Sequence, residues 1–82
     1  MYTTGVCPYC QMAQRLFDKK GVAVDKVRVD EEPERRREMT ARSGGATSVP
    51  QIFIGDHHVG GYRELAALEV KGELDRLLSQ ST

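Results

Sequence analysis

Two cysteines stand three positions apart in the segment Cys7-Pro8-Tyr9-Cys10, and the chain has no other cysteine. A bridge between them would close a very short loop, so it could stabilise the folded state only slightly. Thiols also exchange electrons with disulfides, because a thiolate attacks a disulfide sulfur and forms a mixed disulfide. The spacing therefore favours a reactive or metal-binding pair over a structural disulfide.

A helix predicted over residues 8–20 positions this pair. Pro8 suits the first helical position, since its missing N–H would be unpaired there in any case. Cys7 then faces the unpaired amides and the positive dipole end of the helix, which favour the thiolate form. Cys10 lies one turn further in and is shielded from solvent. We therefore predict that Cys7 is the nucleophile and that Cys10 resolves the mixed disulfide.

Two other interpretations of the pair stay open on these residues alone. A Cys-x-x-Cys segment is half of a zinc site, but the second half is missing. The adjacent His57 and His58 would point to opposite faces of a strand, so both could hardly join the cysteines. Two inert buried cysteines are also possible, although a helix start after a loop is an unfavourable place for them. We predict no metal site.

Length and composition restrict the class of protein. Eighty-two residues build one domain, which we assign to residues 1–82. Twelve acidic and twelve basic residues give a net charge of zero, which argues against nucleic-acid binding. The sequence has neither an apolar run of membrane-spanning length nor a secretory leader, so we expect no membrane contact and a cytoplasmic location. Thiol pairs in that compartment tend to be catalytic.

Four strands are predicted from residue type and turn chemistry. Residues 22–29 are rich in β-branched side chains, which is typical of a strand. Residues 50–54 and 58–59 predict a hairpin around the tight turn at Gly55-Asp56. Residues 1–4 supply a short first strand.

Two further helices are predicted. The first covers residues 33–42, with Asp30 as its cap and Gly44 at its end. The second begins near Arg63, and Gly72 breaks it into two pieces. Opposite charges one helical turn apart should pair in the first of them. These pairs are Glu31/Arg35, Glu32/Arg36 and Glu38/Arg42. The resulting order, β-α-β-α-β-β-α, is an α/β sandwich with three helices and a small four-stranded mixed sheet.

The Cys-Pro-Tyr-Cys segment resembles the active site of dithiol glutaredoxins, in particular those of the bacterial glutaredoxin 3 type. The likeness covers nearly the whole chain. It includes Tyr2-Thr3-Thr4, Lys20-Gly21-Val22, residues 48–55 and His58-Val59-Gly60-Gly61. The resemblance implies a thioredoxin-like fold, here with a truncated first strand.

The same resemblance implies glutathione as a reducing co-substrate, without a tightly bound cofactor. Pro50 is then cis, and the main chain of Val49 pairs with the cysteinyl part of glutathione. The amides of Tyr62 and Arg63 hold its γ-glutamyl carboxylate, and Glu64 takes the α-ammonium group. Glu64 could equally serve only the helix dipole. With the two cysteines, the implied site residues are Thr4, Pro8, Tyr9, Arg37, Ser48, Val49, Pro50, Gly61, Tyr62, Arg63 and Glu64.

The sequence departs from that family at several places. Thr4 stands where many glutaredoxins have a Lys that meets the glycine carboxylate, and Arg37 could supply the missing charge. Gly61-Tyr62-Arg63 resembles the Gly-Phe-Arg segment of redoxins that donate electrons to ribonucleotide reductase and are recharged by thioredoxin reductase. The stretch of residues 44–48 is one residue longer than usual. The family's first strand begins earlier, so we expect either a native start upstream of Met1 or a lower stability.

Three functions are compatible with these observations. The leading hypothesis is a monomeric, glutathione-dependent reductase of protein disulfides and protein–glutathione mixed disulfides. The second keeps this chemistry but takes electrons from thioredoxin reductase and passes them to ribonucleotide reductase. The third is a carrier in which Cys7 and glutathione from two protomers hold a [2Fe–2S] cluster.

Overall fold

Short strands and helices alternate along the computed structural model, which describes residues 1–80. The strands in this range are β1 (Tyr2–Thr3), β2 (Val27–Arg28), β3 (Ile52–Ile54) and β4 (His57–Gly60). The helices are α1 (Pro8–Lys19), α2 (Pro33–Arg42), α3 (Tyr62–Lys71) and α4 (Leu74–Gln80). The bounds of α1, α2 and α3 lie within a residue of their predicted positions, because proline and glycine mark most of these ends.

The strands form two two-stranded ladders, β1 with β2 and β3 with β4, which a single bridge places in the order β2-β1-β3-β4. β1 pairs with β2 in parallel, with Tyr2 opposite Val27. An antiparallel bridge joins Tyr2 to Gln51, whose amides and carbonyls exchange hydrogen bonds of 2.9 and 3.2 Å. β3 and β4 form the antiparallel hairpin that the sequence predicts, joined by a turn at residues 55–56. The sheet thus consists of two short ladders connected through one bridge.

The two faces of the sheet carry separate apolar clusters. Successive side chains of β3 point to opposite faces, as the two-residue period of a strand requires. Ile52 and Ile54 pack with the buried residues of α1, β4, α3 and α4. Phe53 packs on the other face, against a cluster of Tyr2 from β1, Val29 just after β2, and Met39 from α2. The sheet is therefore covered on both sides, and α1 is fixed by the larger cluster.

The strand predicted over residues 22–29 is wrong in extent. Only Val27–Arg28 pairs with β1, through hydrogen bonds from the Val27 amide to Met1 and from the Val29 amide to Thr3. β2 is short because β1 has only two residues with which it can pair. Val22 and Val24 pack against the larger apolar cluster without joining the ladder.

The predicted cap of α2 is also wrong. Glu32 occupies the cap position without a side-chain hydrogen bond. Asp30 instead accepts hydrogen bonds from the Arg28 guanidinium at 2.7 Å and from the Gly5 amide at 3.1 Å. These charge-assisted hydrogen bonds hold the Asp30 carboxylate beside Arg28 and Gly5. It is therefore not available to cap the amides at the start of α2.

None of the three predicted charge pairs of α2 occurs in residues 1–80. Glu38 pairs with Arg35, three residues before it, at 3.2 Å, and it also accepts the Tyr2 hydroxyl at 2.6 Å. Arg42 in turn donates to the Tyr2 hydroxyl at 3.0 Å and lies over the Phe53 ring. Contacts with the sheet therefore override the pairing that helical spacing alone favours.

Gly72 separates α3 from α4, as its sequence position predicts. Its φ of +75° is the left-handed conformation that ends helices and that favours glycine. The predicted third helix is consequently two helices, so the described chain has four helices where three were predicted. No helix among residues 1–80 has the length and apolarity needed to cross a membrane.

Candidate active site

The Cys7 sulfur occupies the cap position of α1. Its backbone is extended (φ −149°, ψ 98°), and Pro8 takes the first helical position. The Cys10 amide donates a hydrogen bond of 3.1 Å to the Cys7 sulfur, as an amide of the first turn does to a capping oxygen. When the pair is reduced, this N–H and the helix dipole favour negative charge on Cys7.

Cys7 and Cys10 are joined by a disulfide, with their Cα atoms 5.2 Å apart. Both residues are nearly enclosed, at 7% and 4% exposed. The more exposed of the two is Cys7, which also lies beside the next loop, because its sulfur is 4.0 Å from the Val49 carbonyl oxygen. The oxidised pair thus lies between the start of α1 and the loop that precedes β3.

That loop contains the cis peptide bond Val49–Pro50, as the family resemblance implies. Gln51, which is 5% exposed, fixes the loop from the sheet side. Its amide nitrogen donates to the Ser48 carbonyl at 3.1 Å, and its amide oxygen lies 2.7 Å from Nε2 of His58. Since the nitrogen of Gln51 is used on Ser48, its oxygen accepts and His58 Nε2 carries the proton. Sequence reasoning did not single out Gln51.

A groove of about 440 Å³ runs from this loop to the start of α3. We call it the Tyr9 groove. Its lining residues are Tyr9, Ser48, Val49, Pro50, Gly61, Tyr62, Arg63, Glu64 and Ala66. The Tyr9 and Tyr62 rings stack across it, with centroids 6.2 Å apart. All of these residues except Ala66 are among those that the resemblance implies for glutathione, and their role in binding it remains a prediction.

The start of α3 closes one end of the Tyr9 groove. Gly61 is the cap residue, and the Glu64 carboxylate accepts its amide hydrogen at 2.8 Å. Glu64 therefore caps α3 through a partner within the chain, and its two predicted roles, toward the helix dipole and toward an α-ammonium group, stay predictions. The amides of Tyr62 and Arg63 belong to the first helical turn, where backbone N–H groups lack helical acceptors and suit an anion.

Thr4 and Arg37 lie apart from the Tyr9 groove. Arg37 is exposed and lines a shallow depression on α2 together with Pro33 and Thr40. Its neighbour Arg36 lies nearer the site, because it donates to the Thr47 carbonyl at 3.2 Å. The structure thus does not bring Arg37 to the cysteines.

Thr4 lines a second depression, of about 560 Å³, which we call the cationic cleft. Its lining residues are Met1, Thr3, Thr4, Gly5, Cys7, Cys10, Gln11, Gln14, Arg15, Lys26 and Arg28. It shares no residue with the Tyr9 groove, and both cysteines belong to it. Sequence reasoning missed its three basic residues, since they come from α1, the loop before β2, and β2 itself. No local pattern links these elements to the cysteine pair.

Arg28 is the fixed cation of this cleft. Its guanidinium binds Asp30 and lies over Gly5, so that any side chain at Gly5 would collide with it. Hydrogen bonds from Arg28, with a further one from the Gly5 amide, hold the pKa of the Asp30 carboxyl well below its usual range. Asp30 thereby ties β2 to the loop that leads into Cys7.

Within residues 1–80, no three histidine, cysteine or acidic residues are grouped so that they could hold a metal ion. The reactive groups that the described chain brings together here are two sulfurs, backbone amides and cationic side chains.

Several known proteins are similar to this chain in sequence. The family model described as glutaredoxin matches residues 1–59. A Pseudomonas aeruginosa protein named glutaredoxin is 52% identical over 79 residues, which cover 96% of this chain and 93% of the relative. Glutaredoxin 3 of Escherichia coli (strain K12) is 46% identical over 78 residues, covering 95% of this chain and 93% of the relative.

Solved structures agree in fold. A solution structure of glutaredoxin from Brucella melitensis is 46% identical, has a TM-score of 0.84, and matches over 99% of this chain and 87% of its own. A buckwheat glutaredoxin–glutathione complex is 25% identical, has a TM-score of 0.89, and matches over 98% and 74%. The fold is therefore thioredoxin-like, as predicted.

Proposed function

The chain belongs to the glutaredoxin family, and we propose that it uses glutathione to reduce protein disulfides and protein–glutathione mixed disulfides. Membership makes it a thiol–disulfide oxidoreductase with a Cys7/Cys10 dithiol. The observation that carries the proposal is the hydrogen bond from the Cys10 amide to the Cys7 sulfur, next to the cis peptide at Pro50. We infer that this sulfur attacks once the pair is reduced, and the Tyr9 groove adjoins it through Val49.

A protein–glutathione mixed disulfide needs Cys7 alone. The Cys7 thiolate attacks the glutathione sulfur, the mixed disulfide bond breaks, and the protein thiolate leaves. Cys7 is then bonded to glutathione. A second glutathione thiolate attacks that disulfide, so oxidised glutathione leaves and the Cys7 thiolate returns. Each full cycle therefore consumes one free glutathione, which leaves joined to the glutathione of the substrate as one molecule of oxidised glutathione.

A protein disulfide needs both cysteines. Attack by Cys7 bonds it to one substrate sulfur and releases the other as a thiolate. The Cys10 thiolate then attacks Cys7 and displaces the second substrate thiolate, which leaves the Cys7–Cys10 disulfide seen in the structure. Two glutathione molecules restore the dithiol and leave as oxidised glutathione.

The Tyr9 groove supports glutathione as the ligand. The Val49 backbone offers main-chain pairing to the cysteinyl part, and the first amides of α3 suit its γ-glutamyl carboxylate. Tyr9 and Tyr62 provide apolar walls. The buckwheat relative of matching fold is a complex with glutathione. We propose that no cofactor is held tightly and that glutathione acts as a co-substrate.

Single cysteine variants test the assignment of roles. We expect Cys7→Ser to lose all measurable turnover of both substrate types, because the attacking sulfur is gone. Cys10→Ser should keep turnover of a glutathionylated protein and lose the dithiol route on a protein disulfide. The measurement is glutathione-dependent NADPH oxidation coupled through glutathione reductase. Substantial activity of Cys7→Ser would contradict the nucleophile assignment.

The choice of reductant needs a separate experiment. Tyr62 and Arg63 lie in the Tyr9 groove, at the positions that resemble redoxins recharged by thioredoxin reductase. We expect turnover with glutathione and glutathione reductase, and little with thioredoxin reductase, when both systems are assayed side by side with NADPH. Turnover with thioredoxin reductase alone, above all with ribonucleotide reductase as the final acceptor, would overturn the proposal.

We also propose that the protein acts as a monomer in the cytoplasm, where thiol pairs stay reduced.

A further inference from the structure

The cationic cleft differs in charge from the chain as a whole. Twelve acidic and twelve basic residues balance over the sequence. The lining of the cleft nevertheless includes the basic residues Arg15, Lys26 and Arg28, and it includes no aspartate or glutamate. The Tyr9 groove, by comparison, has one residue of each sign, Arg63 and Glu64. The charge of the cleft is therefore a local property.

Two of the three basic side chains that line the cleft are available to a partner. Arg15 and Lys26 are exposed, and neither forms an ion pair with any residue in the range 1–80. Arg28 differs, because Asp30 and Glu31 already bind its guanidinium. Binding an anion at Arg15 and Lys26 breaks no existing pair, so their charge is free to attract one.

The cleft also contains the reacting sulfurs. Cys7 and Cys10 both line it, whereas neither lines the Tyr9 groove. A polypeptide lying in the cleft would thus reach the disulfide while the Tyr9 groove stayed open for glutathione. Its volume of about 560 Å³ suits a few residues of an extended chain.

We propose that the cationic cleft binds an acidic segment of the protein substrate, next to the cysteine that this substrate presents to Cys7. The proposal rests on the proposed function, since it names the class of protein that this reductase prefers. Charge complementarity of this kind mainly raises the rate of productive encounter and selects among partners. It weakens as salt increases, because the cations are exposed.

Matched peptide substrates test the proposal. Two disulfide-linked fluorogenic peptides would have the same residues around the cysteines and differ in one flanking run, four glutamates or four lysines. The enzyme variant is the double substitution Arg15→Glu/Lys26→Glu. The control variant is Lys71→Glu/Arg76→Glu, which makes the same charge change at exposed positions of α3 and α4. Thermal unfolding of both variants verifies that they fold.

We expect the cleft variant to lose at least tenfold in kcat/KM for the acidic peptide and to gain for the basic one. The control variant should stay within threefold of wild type on both. Raising the salt from 20 to 300 mM should reduce the wild-type preference for the acidic peptide severalfold. Turnover of the uncharged substrate hydroxyethyl disulfide with glutathione should change less than twofold in the cleft variant.

Two results would overturn the proposal. One is an equal loss on the acidic peptide in the cleft and control variants, which would reflect net charge alone. The other is an equal loss on hydroxyethyl disulfide, which would show that the cleft serves glutathione itself. Fluorescence anisotropy of the acidic peptide with serine in place of cysteine, measured on the oxidised enzyme, gives the binding without any turnover. A wild type inactive with glutathione would thus defeat the proposed function, while anisotropy still decides whether the cleft binds acidic chains.

Discussion

The Tyr9 groove and the cationic cleft both adjoin one disulfide, yet they are built from different parts of the chain. The groove combines a cis peptide at Pro50, the Gly61 cap and the first turn of α3 with the stacked rings of Tyr9 and Tyr62. Internal hydrogen bonds through Gln51 and Glu64 fix it. The charge of the cleft comes from the long side chains of Arg15, Lys26 and Arg28, of which only Arg28 forms ion pairs with residues in the range 1–80.

This difference indicates two modes of recognition. A backbone surface is specific to one ligand shape and changes little with salt, but it depends on each residue that holds the loop. A surface of long cations recognises charge rather than shape, and it tolerates single substitutions. Substitutions in the groove should therefore have large effects on the free energy of unfolding or on the KM for glutathione. Single substitutions in the cleft should have small effects that depend on salt.

The largest effect is expected at Gly60, where the groove wall turns into α3. Its φ is +114°, and a Cβ there would lie 2.8 Å from the Glu64 carboxylate oxygen. Backbone strain and this collision should together lower the free energy of unfolding of Gly60→Ala by about 3 kcal/mol. Urea unfolding measures the loss.

Gly61→Ala is the matched control for that change. A Cβ at Gly61 would meet the Pro50 carbonyl at 3.5 Å and the Glu64 carboxylate at 3.4 Å, which are ordinary contacts. We expect a change in stability within about 0.5 kcal/mol, together with a higher KM for glutathione because the methyl narrows the groove. Equal free energies of unfolding for the two alanine variants would show that the groove accommodates a Cβ at Gly60 without strain.

The next effect is expected at Gln51. Gln51→Leu leaves the Ser48 carbonyl and His58 without their partner, so the free energy of unfolding should fall by about 2 kcal/mol. The KM for glutathione should rise, because the loop of Ser48 is released. His58→Phe, which preserves the stack on Phe53 and the bond to Ser48, should lose less stability and leave this KM unchanged. An equal rise of KM in both variants would mean that the Ser48 bond does not position the loop.

The residues that line the groove could be named from the sequence through the family resemblance, because they lie in short segments that the family also has. Pro50 and the Gly60-Gly61 pair are places where the resemblance implies close approach of the backbone to a ligand, and Pro8 marks the start of α1 next to Cys7. Gly72 marks a helix end in the same local way. Such features depend on the conformation of one or two residues, which residue type largely determines.

The cleft could not be predicted, because it depends on contacts between distant segments. The sequence suggested Arg37 as a replacement for the missing lysine at Thr4, but Arg37 lies on α2 away from the cysteines. Arg28 lies in the cleft instead, because β2 pairs with the strand that leads into Cys7. The short extent of β2 and the partner of Asp30 also depend on distant residues. β2 is short because β1 has only two residues to pair with, and Asp30 binds the amide of Gly5 rather than the start of α2.

A smaller effect is expected at Glu64. Two substitutions there distinguish its role as a helix cap from a role in binding the charge of the ligand. Glu64→Ala loses the hydrogen bond to the Gly61 amide and should cost about 1 kcal/mol. Glu64→Gln still offers an oxygen to that amide, so its stability should lie near that of wild type. If the carboxylate also binds the α-ammonium group of glutathione, Glu64→Gln should raise the KM for glutathione severalfold. An unchanged KM would limit Glu64 to its capping role.

The smallest effect belongs to the cleft side, where Asp30 joins Arg28 to the Gly5 amide. Its folded-state pKa is lowered, chiefly by Arg28, so its carboxylate stabilises the fold above the ordinary aspartate value of about 4. That contribution is lost as the pH falls below this value toward the folded-state pKa. Wild type should therefore unfold at a slightly higher temperature than Asp30→Asn at pH 7, and the gap should narrow below about pH 4.

Salt provides the control for this last prediction. The Arg28–Asp30 pair is exposed, so about 0.5 M salt should also narrow the gap at pH 7. Thermal unfolding from pH 7 to pH 2.5, at low and high salt, measures both dependences. A gap that persists through acid and salt would mean that Asp30 holds Gly5 by a neutral hydrogen bond. The loop into Cys7 would then be fixed by directed hydrogen bonds, as the Tyr9 groove is. Charge would in that case matter only on the exposed part of the cleft that Arg15 and Lys26 form.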